Sequence, residues 1–137
     1  MAVENSIGAD DTLPASGDLS ANQFYFVKID SNGRLALCTT AAGEGFAGVL
    51  QNKPSALGRD GAYRYLGISK VACGGSFNPG DYVTSDSAGK AVKYTTSKVF
   101  TGTPYIVSGS QVYGLARDAG VSGQIASIMI LHQGLTN

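Results

Sequence analysis

The chain has 137 residues, with ten basic and ten acidic side chains, so its formal net charge is zero. Charged residues make up 15% of it, against roughly a quarter in an average soluble domain; such a charge-poor surface argues against direct nucleic-acid binding, which rests on Lys and Arg. No run approaches the roughly 18 apolar residues of a membrane-spanning helix, and the length suits one domain that can bury a core without disulfides.

Residues 1–22 are small and polar, without periodicity, and read as an extended N-terminal arm that is ordered only against a partner. The opening MAVENSIGADD has no basic and no apolar region, so no secretory leader is expected. The protein is then made and kept in the cytosol, or carried out inside a larger particle. From Gln23 onward the pattern is that of one β-domain, 23–137. Phe24 to Ile29 is aromatic and β-branched, a strand by propensity. Asp30-Ser31-Asn32-Gly33 is a turn, and Arg34 to Cys38 returns as a second strand. Phe46 to Gln51 is a short strand. Ala62 to Val71 alternates over a length that suits one long strand or two short ones. Asp81 to Ser85 and Lys90 to Tyr94 flank a second tight turn, Asp86-Ser87-Ala88-Gly89. Tyr105 to Val107, Gln111 to Ala116 and Gln124 to Leu131 complete the strands. No window shows sustained helical spacing of apolar residues, so little or no helix is expected. Many short strands with 19 glycines scattered among them point to an all-β fold, a small barrel or sandwich.

Two segments share one frame. Val27 to Arg34 and Val83 to Lys90 both read V-x-x-D-S-x-G-[RK]. Farther on, Phe46-Ala47-Gly48-Val49 resembles Val112-Tyr113-Gly114-Leu115. The frame implies a repeated hairpin, with the Asp bonding backbone two residues on and the Gly taking the left-handed position. A calcium loop would need more acids than the one in each turn.

Residues for chemistry are sparse. His132 is the one histidine and closes an apolar strand, where it reads as a surface or interface residue. No G-x-S-x-G elbow and no phosphate loop occur. Two Cys and one His fall short of a structural zinc set. Cys38 and Cys73 lie in apolar runs and read as buried, reduced thiols, with a disulfide between them left open. The chain is read as a non-enzyme without cofactor or metal. Tyr63, Tyr65, Tyr82, Tyr94 and Tyr105 fit half-buried strand positions, and alternatively a sugar-binding platform.

The succession Ala47-Gly48-Val49, Gly67-Ile68, Ala72 to Val83, Asp86 to Val92 and Gly114-Leu115-Ala116 resembles phage capsid cement proteins of the DUF2190 type, over about residues 20–134. That resemblance implies a short, β-rich, non-enzymatic decoration protein. It implies a homotrimer on the outside of an expanded head, with the major capsid protein as partner and no membrane involved. The arm is then the expected contact with the capsid or a neighbouring copy, through Val3, Ile7, Asp10, Leu13 and Pro14. Another virion appendage, such as a head fibre or tail accessory protein, and a carbohydrate-binding module are the competing readings.

Overall fold

A computed structural model describes residues 8–41, 44–95 and 111–132. Val3, Ile7, Tyr105 and the strand expected at 105–107 lie outside the described residues. Ten strands and no helix are found among those described: β1 (Ala9–Pro14), β2 (Phe26–Ile29), β3 (Leu35–Leu37), β4 (Phe46–Leu50), β5 (Asp60–Leu66), β6 (Ile68–Ala72), β7 (Tyr82–Ser85), β8 (Ala91–Lys93), β9 (Gly114–Ala116) and β10 (Ile125–Ile130). They form two antiparallel five-stranded sheets, in the orders β1-β5-β4-β2-β3 and β6-β10-β9-β7-β8. The fold is all-β and sandwich-like, and neither sheet closes into a barrel.

The arm expectation needs correction for residues 8–22. β1 pairs antiparallel with β5 from Ala9↔Leu66 to Pro14↔Asp60. Beyond it, Ala15 and Leu19 are buried in the core. Backbone pairing needs no apolar periodicity, and one buried Leu after a buried Ala anchors a stretch whose side chains are otherwise polar. Pro14 closes the strand at the edge of the sheet, where its missing N–H breaks no central ladder.

The second sheet repeats the first strand for strand. The Val27↔Leu37 and Ile29↔Leu35 pairs of one hairpin correspond to Val83↔Lys93 and Ser85↔Ala91 of the other. Val27↔Gly48 corresponds to Val83↔Gly114, and Leu50↔Tyr63 to Ala116↔Ile128. The turns match bond for bond. Asp30 Oδ1 accepts from the N–H of Asn32 and of Arg34, both at 2.9 Å. Asp86 Oδ1 accepts from Ala88 at 2.8 Å and Lys90 at 2.9 Å. Gly33 and Gly89 carry the positive φ, 75° and 88°. Even the isolated parallel bridges agree: Ala15↔Leu35 and Cys73↔Ala91 each bring a sheet's two edges together at one end. The chain is therefore a tandem pair of five-strand units, joined through Gly67 alone between β5 and β6. Gly67 has φ +101, and its Cβ would lie 2.9 Å from the Gly8 Cα, so this junction needs glycine.

One position in the repeat breaks the glycine rule. Phe24 donates its N–H to the Leu50 carbonyl at 2.7 Å, as Gly80 donates to Ala116 at 2.8 Å. Gly80 has φ 88°, and Phe24, at φ 70°, is the one non-glycine residue among those described that takes the left-handed conformation. Its ring packs against the core, which offsets a backbone cost of about 1–2 kcal/mol.

Two apolar clusters result. Val27, Leu35, Ala47, Leu50 and Tyr63 of the first unit gather with Ala15 and Leu19. The corresponding Val83, Ala91, Tyr113, Ala116, Ile128, Cys73 and Phe77 of the second unit form the other cluster. That second cluster also takes in Phe26, Cys38 and Val49 from the opposite face of the first unit's sheet. The first sheet is thus covered on both faces, which stacks the two units. Each fully buried large apolar side chain contributes about 1.5–3 kcal/mol.

Candidate interaction surfaces

At the N-terminal edge, three of the five residues expected to contact a partner, Asp10, Leu13 and Pro14, are described. Asp10 pairs with Arg64 of β5, its Oδ1 lying 2.8 Å from Nε. The same guanidinium donates from Nη1 to the Ile68 carbonyl at 3.0 Å, so this ion pair ties β1 to the junction of the units. Leu13 packs on the first cluster, and Pro14 is half-buried. Asp10, Asp11 and Thr12 are exposed along the edge. Burial and, after it, the Asp11 carboxylate push the Tyr63 phenol above its ordinary range. The edge is therefore acidic and open, while Leu13 serves the fold rather than a free surface.

Between the units sits a carboxylate that the sequence alone did not single out. Glu44, beside β4, has only 4% of its side chain exposed. Its Oε1 accepts from the Tyr113 hydroxyl at 2.7 Å. It also accepts from the Thr39 N–H and hydroxyl at 3.0 Å, and Lys28 Nζ stands 3.5 Å away. The Tyr113 ring is stacked on Phe46, centroids 4.1 Å apart, and meets Phe26 edge-on at 5.4 Å. Tyr113 belongs to the second unit and the others to the first, so a charge-assisted bond and a ring stack pin the units together. Burial, then Glu44, pushes the Cys38 thiol well above its ordinary value. It is held as a thiol, the form without nucleophilic power. Cys38 and Cys73 are both buried and free.

His132 stacks obliquely on Phe46 at 4.9 Å, and its Nε2 lies 2.7 Å from the Tyr65 carbonyl. The described tyrosines of the expected platform do not share one surface. Tyr63 is buried and Tyr65 exposed on the first unit, while Tyr82 and Tyr94 neighbour each other on the second through the Tyr94 N–H to Tyr82 carbonyl bond. No group of three or more His, Cys, Asp or Glu converges as a metal site among the described residues.

No family model matches the chain, so the resemblance to DUF2190-type cement proteins rests on motifs alone. No curated protein matches it either. Among solved structures, the chain is similar to the head fiber gp8.5 N base of bacteriophage phi29, with a TM-score of 0.60. The match covers 96% of this chain and all of that one, at 17% identity. At that identity the likeness is one of fold, and it spans both units.

Proposed function

We propose that this chain is a structural virion protein attached to the outside of a phage head, where it decorates and reinforces the capsid lattice. The observation that carries this reading is the fold likeness to a phage head fiber base over nearly the whole chain. It agrees in kind with the motif resemblance to capsid cement proteins. The tandem units support a mechanical role: a short, doubly packed β-body pinned by Glu44 and Tyr113 resists deformation without any moving part. A protein that binds only the expanded lattice stabilises that state by mass action, with the major capsid protein as partner and no catalytic step involved. A homotrimer is part of the proposal.

The test is co-sedimentation of purified protein with compact and with expanded empty heads of the phage that encodes it. Saturable binding to expanded heads alone, near one copy or more per capsid subunit cluster, supports the cement role. Absence of binding to both refutes it. The fold likeness favours one second reading, the base of a head fibre, and copy number separates the two: a decoration protein covers the lattice, whereas a fibre occupies few sites. The capsid-contact role of the N-terminus is best tested by deleting residues 1–7, which include Val3 and Ile7. Removing all 22 residues also removes β1, Ala15 and Leu19, and would confound lost contact with lost folding.

A further inference from the structure

The internal repeat exposes an anomaly on the outer face of the second unit. Tyr82, Leu115, Met129 and Ile68 stand in one register row across β7, β9, β10 and β6, and their counterparts in the first unit are Phe26, Val49, Arg64 and Asp10. In the first unit the apolar half of that row is fully buried, with Phe26 and Val49 at 0% exposure, because the second unit lies on it. The rest of that row is the Arg64–Asp10 ion pair. In the second unit the polar pair is replaced by Met129 and Ile68. Tyr82 is 48% exposed and Met129 42%, while Leu115 and Ile68 are half-covered. A repeat whose outer face met only water should have turned polar. This one is apolar across four adjacent strands, which marks an interaction site.

The repeat also specifies what covers such a row. Phe26 is covered by the mouth of a five-strand unit. Its N–H donates to the Gly89 carbonyl at 2.8 Å, Lys90 Nζ lies 5.7 Å from the Tyr25 ring centroid, and Tyr113 meets Phe26 and Phe46. Every chain carries a second such mouth, on its first unit; there Ala47, the counterpart of Tyr113, is buried, but the rim around it is exposed. The Ser31-Asn32-Gly33 turn, counterpart of Ser87-Ala88-Gly89, is exposed, with nothing within 4 Å of a Cβ at Gly33. Tyr65, counterpart of the buried Ile130, is 41% exposed. By the same correspondence, Lys90 over Tyr25 would become Arg34 facing Asp81, a carboxylate that also has Lys93 at 3.7 Å.

We infer that the Tyr82–Leu115–Met129–Ile68 face docks on the first-unit mouth of a second copy of this chain, through the exposed rim of Ser31-Asn32-Gly33 and Tyr65 and in the same relative placement as the turn contact made within one chain. This interface is heterologous, each copy offering one face and one mouth. It does not depend on attachment to a head and is tested without one.

The experiment is sedimentation analysis of the full chain and two variants, Met129→Glu on the face and Arg34→Glu at the mouth. The wild-type protein is expected at two or more times 14.1 kDa. Each variant blocks one side only, so neither should build beyond a single chain by itself. Mixed together, each supplies the surface the other lacks, and a species of twice 14.1 kDa should form. Circular dichroism and a cooperative melt establish that each variant is folded. Should Met129→Glu fail to fold, Tyr82→Lys replaces it on the same row. A wild-type chain that stays monomeric at high micromolar concentration overturns the inference. So do variants that keep the wild-type mass, or a mixture that does not pair.

Discussion

Replacing Tyr113 by Phe removes one oxygen from the junction of the two units and leaves the ring stack on Phe46 in place. The lost bond is 2.7 Å long and ends on a carboxylate with 4% of its side chain exposed. Hydrogen bonds to charged groups are worth about 1.5–3 kcal/mol. Glu44 keeps Thr39 and Lys28, so the carboxylate is not orphaned and the loss should fall near the middle of that range, about 2 kcal/mol. With a urea dependence on the order of 2 kcal/mol per molar for a chain of this size, the unfolding midpoint should drop by about 1 M. Urea denaturation of Tyr113→Phe, Glu44→Gln and the double variant gives the coupling directly. A coupling of about 1 kcal/mol or more is expected. A loss below about 0.5 kcal/mol with no coupling would show that the bond does not pin the units, and the mechanical argument for the junction would fall with it.

Alkaline pH should destabilise the fold. Burial, and Glu44 after it, raises the folded Tyr113 and Cys38 above their ordinary values of 10.0 and 9.0. The stability these groups contribute is therefore complete below pH 9. It is lost as the unfolded chain deprotonates above pH 9 to 10, by about 1.4 kcal/mol per pH unit for each group; a melting temperature that stays level from pH 8 to 11 would contradict their burial. Gly48→Ala should be the harsher of two matched substitutions. Its Cβ would land 2.0 Å from the Arg64 carbonyl oxygen, whereas at Gly114 the nearest atom is the movable Cδ1 of Ile128 at 2.7 Å. Overpacking costs about 1–3 kcal/mol, so Gly114→Ala should fold with a lowered melting temperature and Gly48→Ala should lose more, which thermal melts will rank. Deleting residues 1–22 should abolish or severely weaken cooperative unfolding, because it removes a strand and the buried Ala15 and Leu19.

Much of the architecture was legible in the sequence because it is local. The two D-S-x-G turns, the alternation around them and the lack of helical spacing follow from turn chemistry and side-chain period, and nine of the ten strands overlap segments read that way. β1 was not legible: its order comes from backbone bonds to β5, which leave no mark on side-chain pattern. Its counterpart in the repeat, Val71-Ala72-Cys73 against Leu13-Pro14-Ala15, shares no residue identity with it, so the repeat gave no sign of it either. The expected contacts divided for the same reason, since Asp10 found its partner 54 residues away and Leu13 packs on a cluster drawn from distant strands, which no local pattern shows. The sequence alone determined that strands and two like hairpins would form. The tertiary structure decided that the likeness extends to every strand, that one unit lies on the other, and that Glu44 is buried between them. Those outcomes depend on which faces meet, and the same strand pattern is compatible with a covered row at Phe26 and an open one at Tyr82.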